Sequence, residues 1–234
     1  KIKGHSVVRL SYDFDYSKYD LKAPWYSGMA QGLAMVVVLA AYDITADIRF
    51  LIFAEKLGNV LMIPVDHGGT LVEISPGIIW HEEYADESSS IRPLVLNGNN
   101  FAIDGLFWLS RMSLDDKWNT FLHESIKSLS IELEEYEGIF WSKYSQYGDY
   151  ASWHYHDVHI NQLKKIDQFY VPVSGVKGVS FSKYWSRFEA WQSMPFGFTE
   201  RLIKQSNNLV LAIYIINVVF WILVLFLLVF LKRR

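Results

Sequence analysis

Residues 153–163 crowd His154, Tyr155, His156, Asp157, His159, Asn161 and Gln162 into one short run. An apolar helical pattern starts inside it: Ile160, Leu163, Ile166 and Tyr170. Titratable groups are costly to bury unless they are paired, so this run predicts a polar pocket at the entry to an amphipathic helix. Two other runs share its composition, His81-Glu82-Glu83-Tyr84 and Trp141-Ser142-Lys143-Tyr144.

Three chemistries fit these residue types. His154, His156 and His159 follow an H-x-H-x-x-H pattern, and zinc sites do use histidine and carboxylate. Positions i and i+2 of a helix point apart, however, and His154 precedes the helix, so no metal is expected. Glu82, Glu83 and Asp157 can supply a carboxylate pair for glycoside hydrolysis; the sequence fixes no separation and leaves this open, against the plainer reading of Glu82 and Glu83 as a solvated pair. The third is proton transfer by tyrosine. A phenol ordinarily titrates near 10, and a neighbouring cation or hydrogen-bond donor lowers it. Phenols on two sides of a sugar ring can take a proton from one face and return one to the other, provided the carbon is acidic. Carbon 5 of a uronic acid, next to a carboxylate, meets that condition.

The elements that must position these groups read mainly as helices. Residues 1–25 interleave Tyr12, Phe14, Tyr16 and Tyr19 with aspartates and read as an extended lead-in, more a covering arm than a sugar-stacking surface. Ser27 is a plausible N-cap for a helix that is apolar nearly all round and therefore deeply packed. Thr45 can cap a second helix running to about Met62. Residues 70–74 and 78–84 predict a hairpin around Ser75-Pro76-Gly77. Asn97 can cap a helix to about Met112, and Ser113 to Asp116 has capping-box form. The next helix carries Trp118, Leu122, Ile126, Leu129 and Leu133 on one face. Residues 138–151 form a loop holding Trp141, Tyr144, Tyr147 and Tyr150. Residues 180–192 present an aromatic stripe that reads as core. The whole is an array of helical hairpins, an α/α-toroid, with one small β-hairpin.

Hydrophobic residues make up 51% of the 234. Part of that share lies in residues 209–231, which carry no charge and, as a helix, are about 35 Å long, enough for a bilayer core of about 30 Å. This predicts a C-terminal transmembrane helix after a linker at 195–208, closed by the basic tail 232–234. The positive-inside rule favours a cytoplasmic tail and an external globular part. The net charge of −3 and the lack of a basic stripe exclude nucleic acid as an expected partner. The lack of cysteine excludes disulfides. Lys1 is not a methionine, so the chain is expected to lack its natural start.

Five stretches in order resemble the D-glucuronyl C5-epimerase family in its C-terminal helical domain. They are Trp25-Tyr26-Ser27-Gly28-Met29-Ala30-Gln31-Gly32, Glu82-Glu83-Tyr84, Val95-Leu96-Asn97-Gly98, Ser142-Lys143-Tyr144, and the run from Tyr155 to Leu163. The resemblance implies an α/α-barrel-like domain of residues 26–194, a partner that is a uronate polysaccharide, no cofactor and pairing as a homodimer. It implies catalytic roles for Tyr84, Tyr144, Tyr155 and Glu83. It also makes Glu82, Lys143, His156, His159, Asn161, Gln162, Asn97, Trp25, Tyr26 and Gln31 candidate substrate contacts. One face of the sugar is expected to be served by Glu83 and Tyr84 and the other by Tyr144 or Tyr155. A regular strand through residue 84 would point Glu83 and Tyr84 to opposite sides, so a bend is required there. Where the family has an acid and then an arginine for the substrate carboxylate, this chain has Ser145 and Tyr147; Lys143, Arg92 or His156 is expected to substitute. The family's N-terminal β-rich domain is expected to precede this fragment. A microbial polysaccharide epimerase is the leading reading. A lyase sharing the first proton abstraction, or a non-catalytic glycan-binding relative, are the alternatives.

Overall fold

The computed structural model describes residues 1–2, 4–193 and 217–226. Residues 1–189 form one compact unit and 190–234 a second. The first unit is mainly helical with a small β-hairpin. Its elements in order are β1 (Ser11–Tyr12), β2 (Trp25–Tyr26), α1 (Gly28–Thr45), α2 (Ile48–Leu61), β3 (Leu71–Ser75), β4 (Ile78–His81), α3 (Leu96–Met112), α4 (Lys117–Glu132), α5 (Trp153–Lys165) and α6 (Val171–Ser174). A π-helical turn, Ile166–Tyr170, joins α5 to α6, and α7 (Ser182–Ser193) follows.

The buried centre is α3 rather than α1. Along α3, Leu96 to Asn100, Ala102, Ile103, Gly105 to Phe107 and Leu109 are all buried. On α1 only Gly28, Gln31, Gly32, Met35 and Leu39 are buried, while Val37 and Ile44 are 70% and 83% exposed. Burial here follows position between neighbours, not hydropathy: α3 is flanked by α1, α2, α4 and α5, and its polar first turns face the site described below. Glycines let α1 and α3 touch. A Cβ at Gly32 would stand 2.1 Å from the Phe101 carbonyl oxygen, and one at Gly105 would stand 2.6 Å from Met35.

Local caps differ in detail from expectation. Ser27 Oγ does accept from Ala30 N, but α2 is capped by Asp47, not Thr45. Asn97 lies inside α3 and does not cap it. Ser113 Oγ accepts from Asp115 N, one turn ahead of the N-cap Asp116. The hairpin forms, with Leu71 paired to His81 and a register shift near Ser75. It docks on α4 through Ile79 N to Ser128 Oγ and on α3 through His81 N to Asn99 Oδ1.

The N-terminal arm is not an extended lead-in. β1 pairs antiparallel with β2, and the intervening turn buries Tyr19 and Leu21 completely. Aromatic packing supplies the reason: the Tyr12 and Trp25 rings stack at 4.2 Å.

Of the predicted C-terminal span, only Asn217–Phe226 is described, and these residues are helical and apolar. The remainder of 209–231, the linker 195–208 and the tail 232–234 lie outside the described residues. Among the described residues the helix long and apolar enough to cross a membrane is α1, near the N-terminal end.

Gly32→Ala should lower the unfolding free energy by about 3 kcal/mol, because the carbonyl it meets belongs to a helix that cannot yield without moving the core. Chemical denaturation of the two proteins at one temperature measures this.

Candidate active site

Three chain segments bring the phenols together. The first, residues 82–85, leaves β4 after His81 and bends at Glu83 and Tyr84. Thr70 O accepts from Glu82 N, Glu82 O accepts from Gly28 N, and Ala85 and Tyr26 exchange two backbone bonds. The required bend is therefore present and clamped on both sides. The second segment carries Tyr144. Leu96 N donates to Tyr144 O at 3.1 Å and Tyr144 N donates to Asp149 O at 2.7 Å, which pins the loop to the start of α3. The third is the start of α5, whose N-cap Ser152 accepts from Tyr155 N.

The hydroxyls of Tyr84 and Tyr144 lie 3.2 Å apart. Tyr144 Oη also donates to Glu83 Oε1 at 3.4 Å. Asn97 Nδ2 donates to Glu83 Oε2 at 3.3 Å. Gly98 makes room for this carboxyl, since a Cβ there would stand 2.5 Å from Glu83 Oε2. The Tyr155 ring lies 4.9 Å from that of Tyr144 and is 37% exposed. Tyr84 sits among the rings of Tyr16, Tyr19 and Trp25. Beside this group opens a cleft of about 280 Å3, lined by Glu83, Tyr84 and Tyr155 on one side and by Tyr12, Phe14, Tyr16, Trp25, Ser27 and Met29.

Burial sets the electrostatics. Glu83 is pushed up to about 7 by desolvation and by the charge of Glu82, against the hydrogen bonds it accepts. Glu82 is fully buried and also pushed up to about 7 by desolvation, against backbone donors Tyr84 N and Leu94 N. Tyr84 and Tyr144 are both raised, by burial first and then by the Glu83 charge. Neither phenol is a phenolate at neutral pH. The groups that can change their charge near neutrality are the two buried carboxyls, Glu82 and Glu83, and of these Glu83 is the one in contact with the phenols.

The remaining sequence candidates divide into wall, support and bystander. Trp25 lines the cleft. Asn97 orients Glu83, and Gln162 supports Asn97 by donating to its carbonyl at 3.2 Å. Glu82 ties the turn at Tyr84 to Leu94 and lies behind the cleft surface. His156 and His159 are buried supports, not cleft residues. His156 Nδ1 accepts from Ser142 N, its Nε2 donates to Phe188 O, and its ring stacks on Trp141. His159 Nδ1 meets Ser142 Oγ at 3.0 Å, and burial holds this ring neutral, at about 3. His154 is exposed on the other side of the helix start. No cluster of three metal-ligating side chains occurs among the described residues. Asn161 donates to Asp157 on the exposed face of α5. Gln31 is buried and donates to Val8 O, and Tyr26 serves through its backbone while Arg9 covers its ring. Lys143 donates to Glu135 O, and Arg92 is committed to Asp66 and Ser89 O. Tyr12, Phe14 and Tyr16 were not among the candidate contacts, although their alternation with aspartates was the available signal for one aromatic wall.

The family described as D-glucuronyl C5-epimerase C-terminus matches residues 3–177. An uncharacterized protein of Methanocaldococcus jannaschii is 28% identical over 167 residues, covering 69% of this chain and 52% of its own length. A D-glucuronyl C5-epimerase of Caenorhabditis elegans is 30% identical over 168 residues, covering 64% of this chain and 27% of its own. The chain thus spans about half of the archaeal relative and about a quarter of the nematode one.

The raised value of Glu83 means that the folded state binds more protons than the unfolded one between about 4.5 and about 7. Its contribution to stability therefore falls as pH rises through that window. Asn97 Oδ1 is buried without a hydrogen-bond partner, so a turned Asn97 amide can receive a glutamine. Glu83→Gln should accordingly melt at a higher temperature than the wild type at pH 8, with the difference vanishing towards pH 4.5. Thermal melts across that range check it.

Proposed function

The chain belongs to the D-glucuronyl C5-epimerase family, and we propose that it inverts carbon 5 of hexuronate residues in a polysaccharide, of the D-glucuronate to L-iduronate type. The observation that supports this most directly is the Tyr84–Tyr144 hydroxyl pair, 3.2 Å apart over the buried Glu83 carboxyl. A sugar ring resting on Trp25 and Tyr12 brings its carbon 5 to that pair. Ionised Glu83 takes the phenolic proton of Tyr144 while that oxygen removes the carbon 5 proton. The electron pair left on carbon 5 spreads into the substrate carboxylate as an ene-diolate. Tyr155 then donates its proton to carbon 5 from the other side, and water restores Tyr155 and Glu83. No electrons are gained or lost over the cycle, so it requires no redox cofactor. Tyr84, donating to the Tyr144 oxygen, steadies the charge that passes through it.

Of the two alternatives expected for the second face, Tyr144 or Tyr155, this reading takes Tyr155. Tyr144 shares a face with Glu83 and Tyr84, and Tyr155 stands alone as the second phenol.

The same reading extends to the surroundings of the site. The helical hairpins are part of an α/α-toroid, and the active assembly is a homodimer. Residues 209–231 anchor the protein in a membrane with the catalytic unit outside. These rest on the sequence pattern and the resemblance.

Incubation with uronate polymers in deuterated water tests the function. Deuterium at carbon 5 with iduronate formation is expected, rising with pH through an apparent value of about 7 as Glu83 ionises. An unsaturated product means a lyase, and binding without exchange means a glycan-binding protein. Tyr144→Phe should reduce exchange by about 100-fold or more. Tyr155→Phe should abolish inversion, with deuterium returning only to the original face.

A further inference from the structure

Proton removal at carbon 5 leaves the substrate with a carboxylate that must absorb more negative charge. Beside it the protein already holds Glu83, itself without a cationic hydrogen-bond partner. A cation near the substrate carboxylate is therefore needed, yet Lys143, Arg92 and His156 are all engaged away from the cleft. Tyr147, at the position where an arginine was expected, is a neutral ring packed edge-on against Tyr19.

One cation does approach the phenols. Lys18 lies on the arm between the cleft-lining Tyr16 and the buried Tyr19. Its Nζ is 5.6 Å from the centre of the Tyr144 ring and 4.8 Å from that of Tyr19. Its side chain is 43% exposed, so a ligand can reach it. Asp149 holds it at 2.6 Å, and Asp149 is in turn fixed by Ser145 Oγ at 2.5 Å and by its backbone bond to Tyr144. The ammonium has three donors. Asp149 takes one and the Tyr19 hydroxyl draws on a second, which leaves one for a ligand, and the arm and the tyrosine loop are joined at the place where the cation is presented.

We propose that Lys18 binds the substrate's uronate carboxylate, taking the part of the missing arginine from a different segment of the chain, with Asp149 as the residue that positions it. This rests on the epimerase reading. The carboxylate accepts a charge-assisted hydrogen bond from Nζ beside the Tyr144 ring. The bond holds carbon 5 against the phenol, and the ammonium offsets the charge that develops on the ene-diolate. Ser145 keeps a role distinct from the family's acid: it fixes the positioning carboxylate rather than serving as one.

The test compares Lys18→Met, Lys18→Arg and Asp149→Asn with the wild type on two polymers, one carrying uronate and one with its carboxyl groups reduced to alcohols. Binding and carbon 5 exchange are both read. The wild type should prefer the uronate polymer. Lys18→Met should weaken uronate binding roughly ten- to hundredfold and leave binding of the reduced polymer unchanged. Lys18→Arg should retain most of the preference, and Asp149→Asn should keep the cation and so keep much of it. Equal weakening on both polymers, or equal behaviour of Lys18→Met and Asp149→Asn, makes the ion pair structural and overturns the proposal; so does an unchanged preference in Lys18→Met. A wild type that shows a Lys18-dependent preference but no exchange overturns epimerisation while upholding the carboxylate site.

Discussion

The site depends on keeping one carboxyl group, Glu83, almost out of water with neutral hydrogen-bond partners. An amide and a phenol serve it, and neither supplies a positive charge. In such surroundings the proton and the charge are close in free energy, which is why burial brings this group to about 7. Everything around it makes the burial possible. Gly98 admits the carboxyl, Asn97 orients it, and the clamp from Thr70 and Tyr26 to residues 82–85 fixes the bend that carries it. The close contact of α1 with α3 fixes the helix from which Asn97 and Gly98 come. A core arrangement and the hydrogen-bonded chain Tyr84–Tyr144–Glu83 are thus parts of one packing problem.

Behind Tyr144 the same economy of polar groups recurs. Ser142 is held between two buried imidazoles, one stacked on Trp141 and bonded to Phe188 O. These rings connect α5 to the loop. They lie outside the cleft lining, and they place the backbone from which Tyr144 reaches Glu83. Rigid support of a single phenol from both its backbone and its hydroxyl is the kind of order that proton transfer requires.

The sequence foretold the helical elements, the hairpin and the bend after β4, because these follow from apolar spacing, turn residues and the opposed directions of adjacent strand side chains. Of the four residues the motifs single out, Glu83, Tyr84 and Tyr144 meet through hydrogen bonds, and the Tyr155 ring lies beside that of Tyr144. What the sequence could not distinguish was the role of a polar residue from its type. His156 and His159 stand near Tyr155 in the chain, yet Ser142 and Phe188 O draw the two imidazoles into the buried side, while Tyr155 sits on the exposed first turn of α5 and lines the cleft. Gln31, Asn161 and Lys143 share motifs with cleft residues but are held by partners outside the cleft: Val8 O, Asp157 and Glu135 O. The arm was hidden for a different cause: its fold depends on Tyr12 stacking on Trp25, a contact between residues thirteen positions apart. Alternating aromatics and aspartates carry no period that reveals such a pairing.

The residues that match the family and the cluster of phenols both lie in the unit formed by residues 1–189. The central claim is physical: the carboxyl below the tyrosine pair exchanges its proton near neutrality. Carbon-13 labelling of the glutamate side chains, with Glu83→Gln to assign the signal, measures its titration directly by nuclear magnetic resonance. The account predicts a midpoint near 7. A midpoint near the ordinary 4.5 would mean a carboxylate that stays charged throughout, and would contradict it.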